Sequence, residues 1–191
     1  MKLQLVFMGC LLLGAEASAE TDRLQLDTGA TRVKWTLGDV LHTVRGTFKI
    51  KSADLWIDPT TGKAGGQIVV DAQSGESGSG ARDSLMHKNI LESAKYPEIT
   101  FIPDSVDGAL RFEGDSTVKL HGAFPIHGGT HEVLMGVKSH VDHGKLTATI
   151  AFAVPYVAWG MNDPSTLFLR VDNKVEIEIQ AAGELRPTAA Q

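Results

Sequence analysis

The chain has 191 residues, a formal net charge of −5 and an apolar share of 42%, long enough to bury a core as one domain. Mild acidity without a Lys/Arg cluster argues against nucleic acid or an anionic membrane surface as partner. A single cysteine, Cys10, rules out an internal disulfide framework and a cysteine-built metal site.

The first residues read as a leader. Lys2 supplies a positive end, Leu3 to Gly14 form an apolar run, and Ala17-Ser18-Ala19 has the small-residue form of a cleavage site. The run is shorter than the about 20 residues that cross a bilayer. Three leucines follow Cys10, where a lipoprotein would begin a polar tether, which argues against lipid modification there. The expectation is a signal peptide over 1–19, a domain over 20–185 and a disordered tail over 186–191. The mature chain would be periplasmic or secreted, without a cysteine and without a membrane span.

Strand patterns then follow in order. Val33, Trp35 and Leu37 alternate with Lys34 and Thr36; Val44 to Ile50 comes next, then Leu55 and Ile57 around Trp56. Asp58 to Lys63 is a turn by composition, and Gln67 to Ala72 the next strand. Ser74 to Gly80, SGESGSG, reads as a flexible loop. From Ala81 to Glu92 the period changes: Leu85, Met86, Ile90 and Leu91 recur at helical spacing, with Ser79 as candidate N-cap and Asp83 and His87 four apart. Pro97 closes this helix. Strands are expected over Ile99–Ile102, Ala109–Glu113 and Thr117–Phe124. Val133, Met135, Val137 and Val141 share one face of a longer strand, and Leu146, Ala148, Ile150, Phe152 and Val154 one face of its neighbour, with Asp142-His143-Gly144 as the hairpin. Pro155 to Thr166 reads as a loop, and Val175 to Ala181 alternates as the last strand.

About eight strands with one apolar face each predict an all-β, antiparallel barrel or sandwich, and a single amphipathic helix favours a barrel capped at one end. Such an interior is filled by side chains or holds one small ligand.

The helix and the strand after it carry a pattern: Arg82, Asp83, Met86, His87, Leu91, Glu92, Tyr96, Pro97, Ile99 and Phe101. It resembles the signature of the YceI-like family, exported bacterial proteins that bind polyisoprenoids. Val44-Arg45-Gly46-Thr47-Phe48, Thr117 to Gly122 and Asp172 to Ile179 resemble the family's other strands, so the likeness runs from about Leu24 to Gly183. The helix His stands five residues after the Arg rather than three, Ala123-Phe124-Pro125 follows Gly122, and Val157 to Met161 replaces a segment that usually carries Phe-Gly. The resemblance implies a lipocalin-like barrel whose cavity holds an isoprenoid chain, a quinone or a polyprenyl phosphate, in a monomer or homodimer. Residues expected around that ligand are Trp35, Phe48, Arg82, Leu85, Met86, His87, Ile90, Phe101, Met135, Ile150, Phe152, Trp159 and Met161.

Each feature has a plainer reading. Arg82 and His87 either meet a polar head group or pin the helix to the rim. The 127/131 and 140/143 histidine pairs have metal-ligand spacing, yet residues three apart on a strand point to opposite faces, so no metal or other cofactor is expected. No nucleophile or phosphate-loop motif stands out; an enzyme would have to use His87 or His121 as general base. Tyr156 to Met161 either packs as core or lines an entrance. The reading that follows is a carrier of an amphiphilic isoprenoid, with a filled structural barrel as the alternative.

Overall fold

Nine strands form one closed antiparallel sheet in the computed structural model, which describes residues 21–39, 42–167 and 169–186. They are β1 (Asp22–Leu26), β2 (Arg32–Gly38), β3 (Thr43–Ile57), β4 (Ala64–Glu76), β5 (Glu98–Asp107), β6 (Gly114–Ile126), β7 (Gly129–Asp142), β8 (Lys145–Val154) and β9 (Val175–Arg186). Between β4 and β5 lie the short helix α1 (Gly80–Leu85) and a π-helical turn, Met86–Ile90. Consecutive strands pair from β3 to β9, and β2 joins β3 to β9. β1 also pairs with both β3 and β9. Thus β1 and β2 are two halves of one stave, and the barrel has eight positions around its wall.

Alternation sets the inside. On β7 Val133, Met135, Val137, Ser139 and Val141 point in, and on β9 Val175, Ile177, Ile179 and Ala181 do, while the residues between them are exposed. Register follows from tight turns. His127-Gly128 and His143-Gly144 both have two positive φ values, 51 and 77° and 50 and 77°. That is the turn whose twist matches a hairpin. Asp58 organises the β3–β4 turn by accepting from the backbone N–H of Thr60 and Thr61 and from the Thr61 hydroxyl; this last bond holds its carboxyl below the usual carboxylate range. Across β2–β3 the Trp35 indole lies over Gly46, where a Cβ would stand 2.4 Å from the ring. Only glycine leaves room for it.

Several expectations change. Ala109–Glu113 is not a strand, and β1 was absent from the sequence reading. Ser74 to Glu76 belong to β4, so the supposed flexible loop shrinks to the few residues before α1. Ser79 occupies the N-cap position without a side-chain bond; Asp83 instead accepts from the N–H and hydroxyl of Ser77. Leu85 is 60% exposed and is not part of a buried helix face. Arg186 ends β9 rather than opening a tail. Residues 1–19, expected as a leader, and 187–191 lie outside the described residues, and among those described no helix is long and apolar enough to cross a membrane.

Candidate functional site: the barrel lumen and its closures

Two apolar clusters pack inside the barrel. One lies at the helix end and includes Ala72, Phe101, Phe124, Met135, Tyr156 and Met161. The other lies at the opposite end around Leu26, Val141, Leu146 and Ala181. Between them Ile50, Val70, Val137, Ile150 and Ile179 point inward yet are only half-buried. Side chains in a filled core would lose nearly all contact with water, so this middle section is not tightly filled. Inward positions of β2 to β9 carry no Lys, Arg, Asp or Glu, and their sole ionisable side chain is His131.

The helix end is closed from two sides. Met86 and the Phe48 ring fill the space over Gly75, and Ile90 and Leu91 pack on the first cluster. The His87 ring bonds at both nitrogens, Nε2 to the Gly75 carbonyl at 2.8 Å and Nδ1 to the Ser93 hydroxyl at 3.0 Å. A carbonyl can only accept, so Nε2 carries the proton and Nδ1 accepts from Ser93. On the other side Pro155 to Met161 folds as a tight turn. Tyr156 and Met161 are 4% and 3% exposed, the Tyr156 hydroxyl donates to the Asp172 carbonyl, and Trp159 stacks flat on His131 at 4.1 Å. Burial, with the Asp163 and Asp172 carboxylates adding to it, pushes the Tyr156 phenol up to about 12. The Asn162 side chain donates to the Asn89 carbonyl and joins this loop to the helix segment.

The pattern of the YceI-like domain matches residues 24–182. The chain belongs to the YceI-like family. Among curated proteins no match was found. Its fold is similar to Burkholderia cenocepacia BcnA at 16% identity and TM-score 0.67, over 82% of this chain and 98% of that one. It is also similar to a polyisoprenoid-binding domain from Saccharophagus degradans implicated in plant cell wall breakdown (16%, TM-score 0.62, 84% and 97% of the two chains). A third similar structure is the Campylobacter jejuni YceI protein at 13% identity and TM-score 0.53, covering 96% and 99%.

Within this YceI-like barrel the thirteen expected residues separate into groups. Trp35, Phe48, Phe101, Met135, Ile150 and Phe152 stand at inward strand positions. Met86, Ile90, Trp159 and Met161 belong to the closures. His87 is tied up as described, while Arg82 and Leu85 face solvent; Arg82 donates to the Ser77 hydroxyl. The Asp83–His87 pairing expected from spacing is replaced by those partners.

The histidine pairs do not converge. His127 bonds Glu92, His140 bonds Asp115, and His143 bonds Asp142. Asp104, His121 and Glu132 do meet on the outer wall, from three neighbouring strands. There Nδ1 of His121 lies 2.8 and 2.9 Å from the Asp104 oxygens and Nε2 lies 3.4 Å from Glu132. Both ring nitrogens therefore already face carboxylates, on the side away from the lumen. As a general base His121 has no lumen substrate, and His87 has no free lone pair.

The sequence weighs His131 only as a metal-spacing partner of His127 and Glu92 only as part of the family pattern, not as residues of the lumen and its closure. The signal for His131 was present: it has the parity of Val133 and Met135, so it must point inward.

Proposed function

We propose that this protein is an exported, periplasmic carrier that holds a polyisoprenoid or isoprenoid quinone in its barrel. One observation carries the reading: a half-buried, uncharged, apolar lumen between two packed ends. Each buried ligand methylene contributes about 0.8 kcal/mol, so several isoprene units bind tightly without any strong polar contact. Membership of the YceI-like family and the fold shared with a polyisoprenoid-binding domain support it. Cleavage near Ala19 would release a soluble monomer or homodimer.

Native mass spectrometry of protein purified from the periplasm tests this. The expected result is a mature chain beginning at Glu20 with a co-purified amphiphile in the isoprenoid mass range. A chain that is empty, and stays empty when offered isoprenoid quinone, supports the filled structural barrel instead.

A further inference from the structure

The carrier reading leaves open how a long chain enters a barrel whose two ends are packed, and the interrupted stave answers this. β3 pairs with β2 over Thr43–Phe48 and with β1 over Asp54–Ile57. Lys49 to Ala53, five residues or about 16 Å of strand, pair with neither. On that stretch β3 keeps its ladder to β4, with register shifts between Thr47 and Lys49 and between Ile50 and Ser52.

The turn that links β1 to β2 forms no ladder with the interval. It is tied to the other neighbour, β9: the Asp27 N–H donates to the Ala182 carbonyl at 2.8 Å, and Thr31 and Ala182 bond each other. β1 presses on β9 as well, since a Cβ at Gly183 would stand 2.5 Å from the Gln25 carbonyl oxygen. Ala30, Gln180 and Ala182 line a hollow of about 550 Å³ that also reaches Ser139, Ala148 and Ala181. The turn therefore leans towards β9, and no hydrogen bond joins Asp27–Thr31 to Lys49–Ala53.

Behind the interval stand Phe48, Ile50 and Ala53, inward-facing and half-buried. We infer that this break in the wall, between the Asp27–Thr31 turn and the middle of β3, is the portal through which the isoprenoid chain enters the lumen. The inference rests on the carrier reading. Its physical content is that a sheet opens at least cost where no ladder bonds must break. A charged head group finds no counter-charge inside and stays at the portal, beside the unpaired edge of β3.

The mature chain has no cysteine, so single labels are clean. Ser52→Cys, at the portal, and Leu85→Cys, on the exposed helix face, are each alkylated with a bulky maleimide. Uptake of an isoprenoid quinone and of a polyprenyl phosphate of equal length is then timed from phosphatidylcholine vesicles. The Ser52 adduct should slow exchange of both probes by about tenfold or more, with the Leu85 adduct close to the unlabelled rate. Bound probe should also protect Ser52→Cys, and not Leu85→Cys, from alkylation. An unlabelled rate in the Ser52 adduct, or equal slowing by both labels, overturns the portal while the carrier stands. If the unlabelled protein takes up neither probe, the carrier reading itself fails, and the portal with it.

Discussion

Glu92 Oε2 lies 2.7 Å from His127 Nε2, and both residues have left-handed backbone, with φ of 44 and 51°. The pair ties the end of the helix segment to the β6–β7 hairpin, and Tyr96 packs on the same imidazole at 4.7 Å. Two residues with Cβ atoms in that region indicate that contacts hold the backbone against its preference.

Glu92→Ala removes the tie and keeps the strain, while Glu92→Gly removes both. Loss of the bond should lower stability by about 1 kcal/mol, read as a shifted urea midpoint at constant slope. Glycine recovers part of that because positive φ costs it nothing. A glycine variant less stable than the alanine variant would show that the strain is not real.

His87 is predicted to act through structure. With both nitrogens bonded, His87→Ala should cost about 2 kcal/mol and Ser93→Ala about 1 kcal/mol, each leaving a buried group unpaired. The double variant should cost less than the sum, because the two share one bond. At ligand saturation, His87→Ala should keep the affinity of the native protein for an isoprenoid quinone. A large loss of affinity with intact stability would restore the head-group role.

Much of the wall was legible in the sequence. β6 to β9 alternate strictly because one face is dry and the other wet, and His143-Gly144 supplies the two positive φ values that a tight hairpin requires. The helix was misread for a physical reason. Leu91 N–H bonds to the Met86 carbonyl five residues back, and this widened turn rotates the buried face, so Met86, Ile90 and Leu91 turn inward while Leu85 faces water. Ser74 to Glu76 look like linker by composition, yet the pairing of Glu76 with Thr47 makes them strand. Glycine there is required because Phe48 and Met86 fill the space a side chain would take. Nothing local to Trp159 announces that it stacks on His131, a partner 28 positions earlier in a different element.

A pH titration should single out His121. The hydrogen bond His121 donates to Asp104 raises its pKa above 6.5, and its own imidazolium, after the Ser105 hydroxyl, helps hold Asp104 below 3.8. A raised histidine stabilises fully below its unfolded value of 6.5 and loses that contribution as pH rises through its folded one. A lowered carboxylate stabilises above 3.8 and loses its contribution as pH falls. The pair is therefore most stabilising between those limits. Imidazole NMR should show the His121 midpoint moving down towards 6.5 in Asp104→Asn; an unmoved midpoint would remove Asp104 as the cause.

The sharpest test of a hollow barrel compares two tryptophans on β8. Ile150 pairs with Val137 and Ile179, all three half-buried in the middle section. Ala148 packs on the end cluster of Val141, Leu146 and Ala181 and pairs with Ser139 and Ala181, which are 8% and 7% exposed. Overfilling a packed site costs about 1–3 kcal/mol, and Ala148→Trp should show that loss in its denaturation midpoint. Ile150 touches both end clusters, but its partners Val137 and Ile179 are only half-buried, so the Ile150→Trp ring has less packed protein to displace. The variant should keep the native midpoint and abolish uptake of isoprenoid quinone, because the ring occupies the space the chain needs. If Ile150→Trp is destabilised as much as Ala148→Trp, the middle section is filled by protein and the barrel has no room for a chain. If it is stable and still binds with native affinity, the chain lies elsewhere than along Ile150.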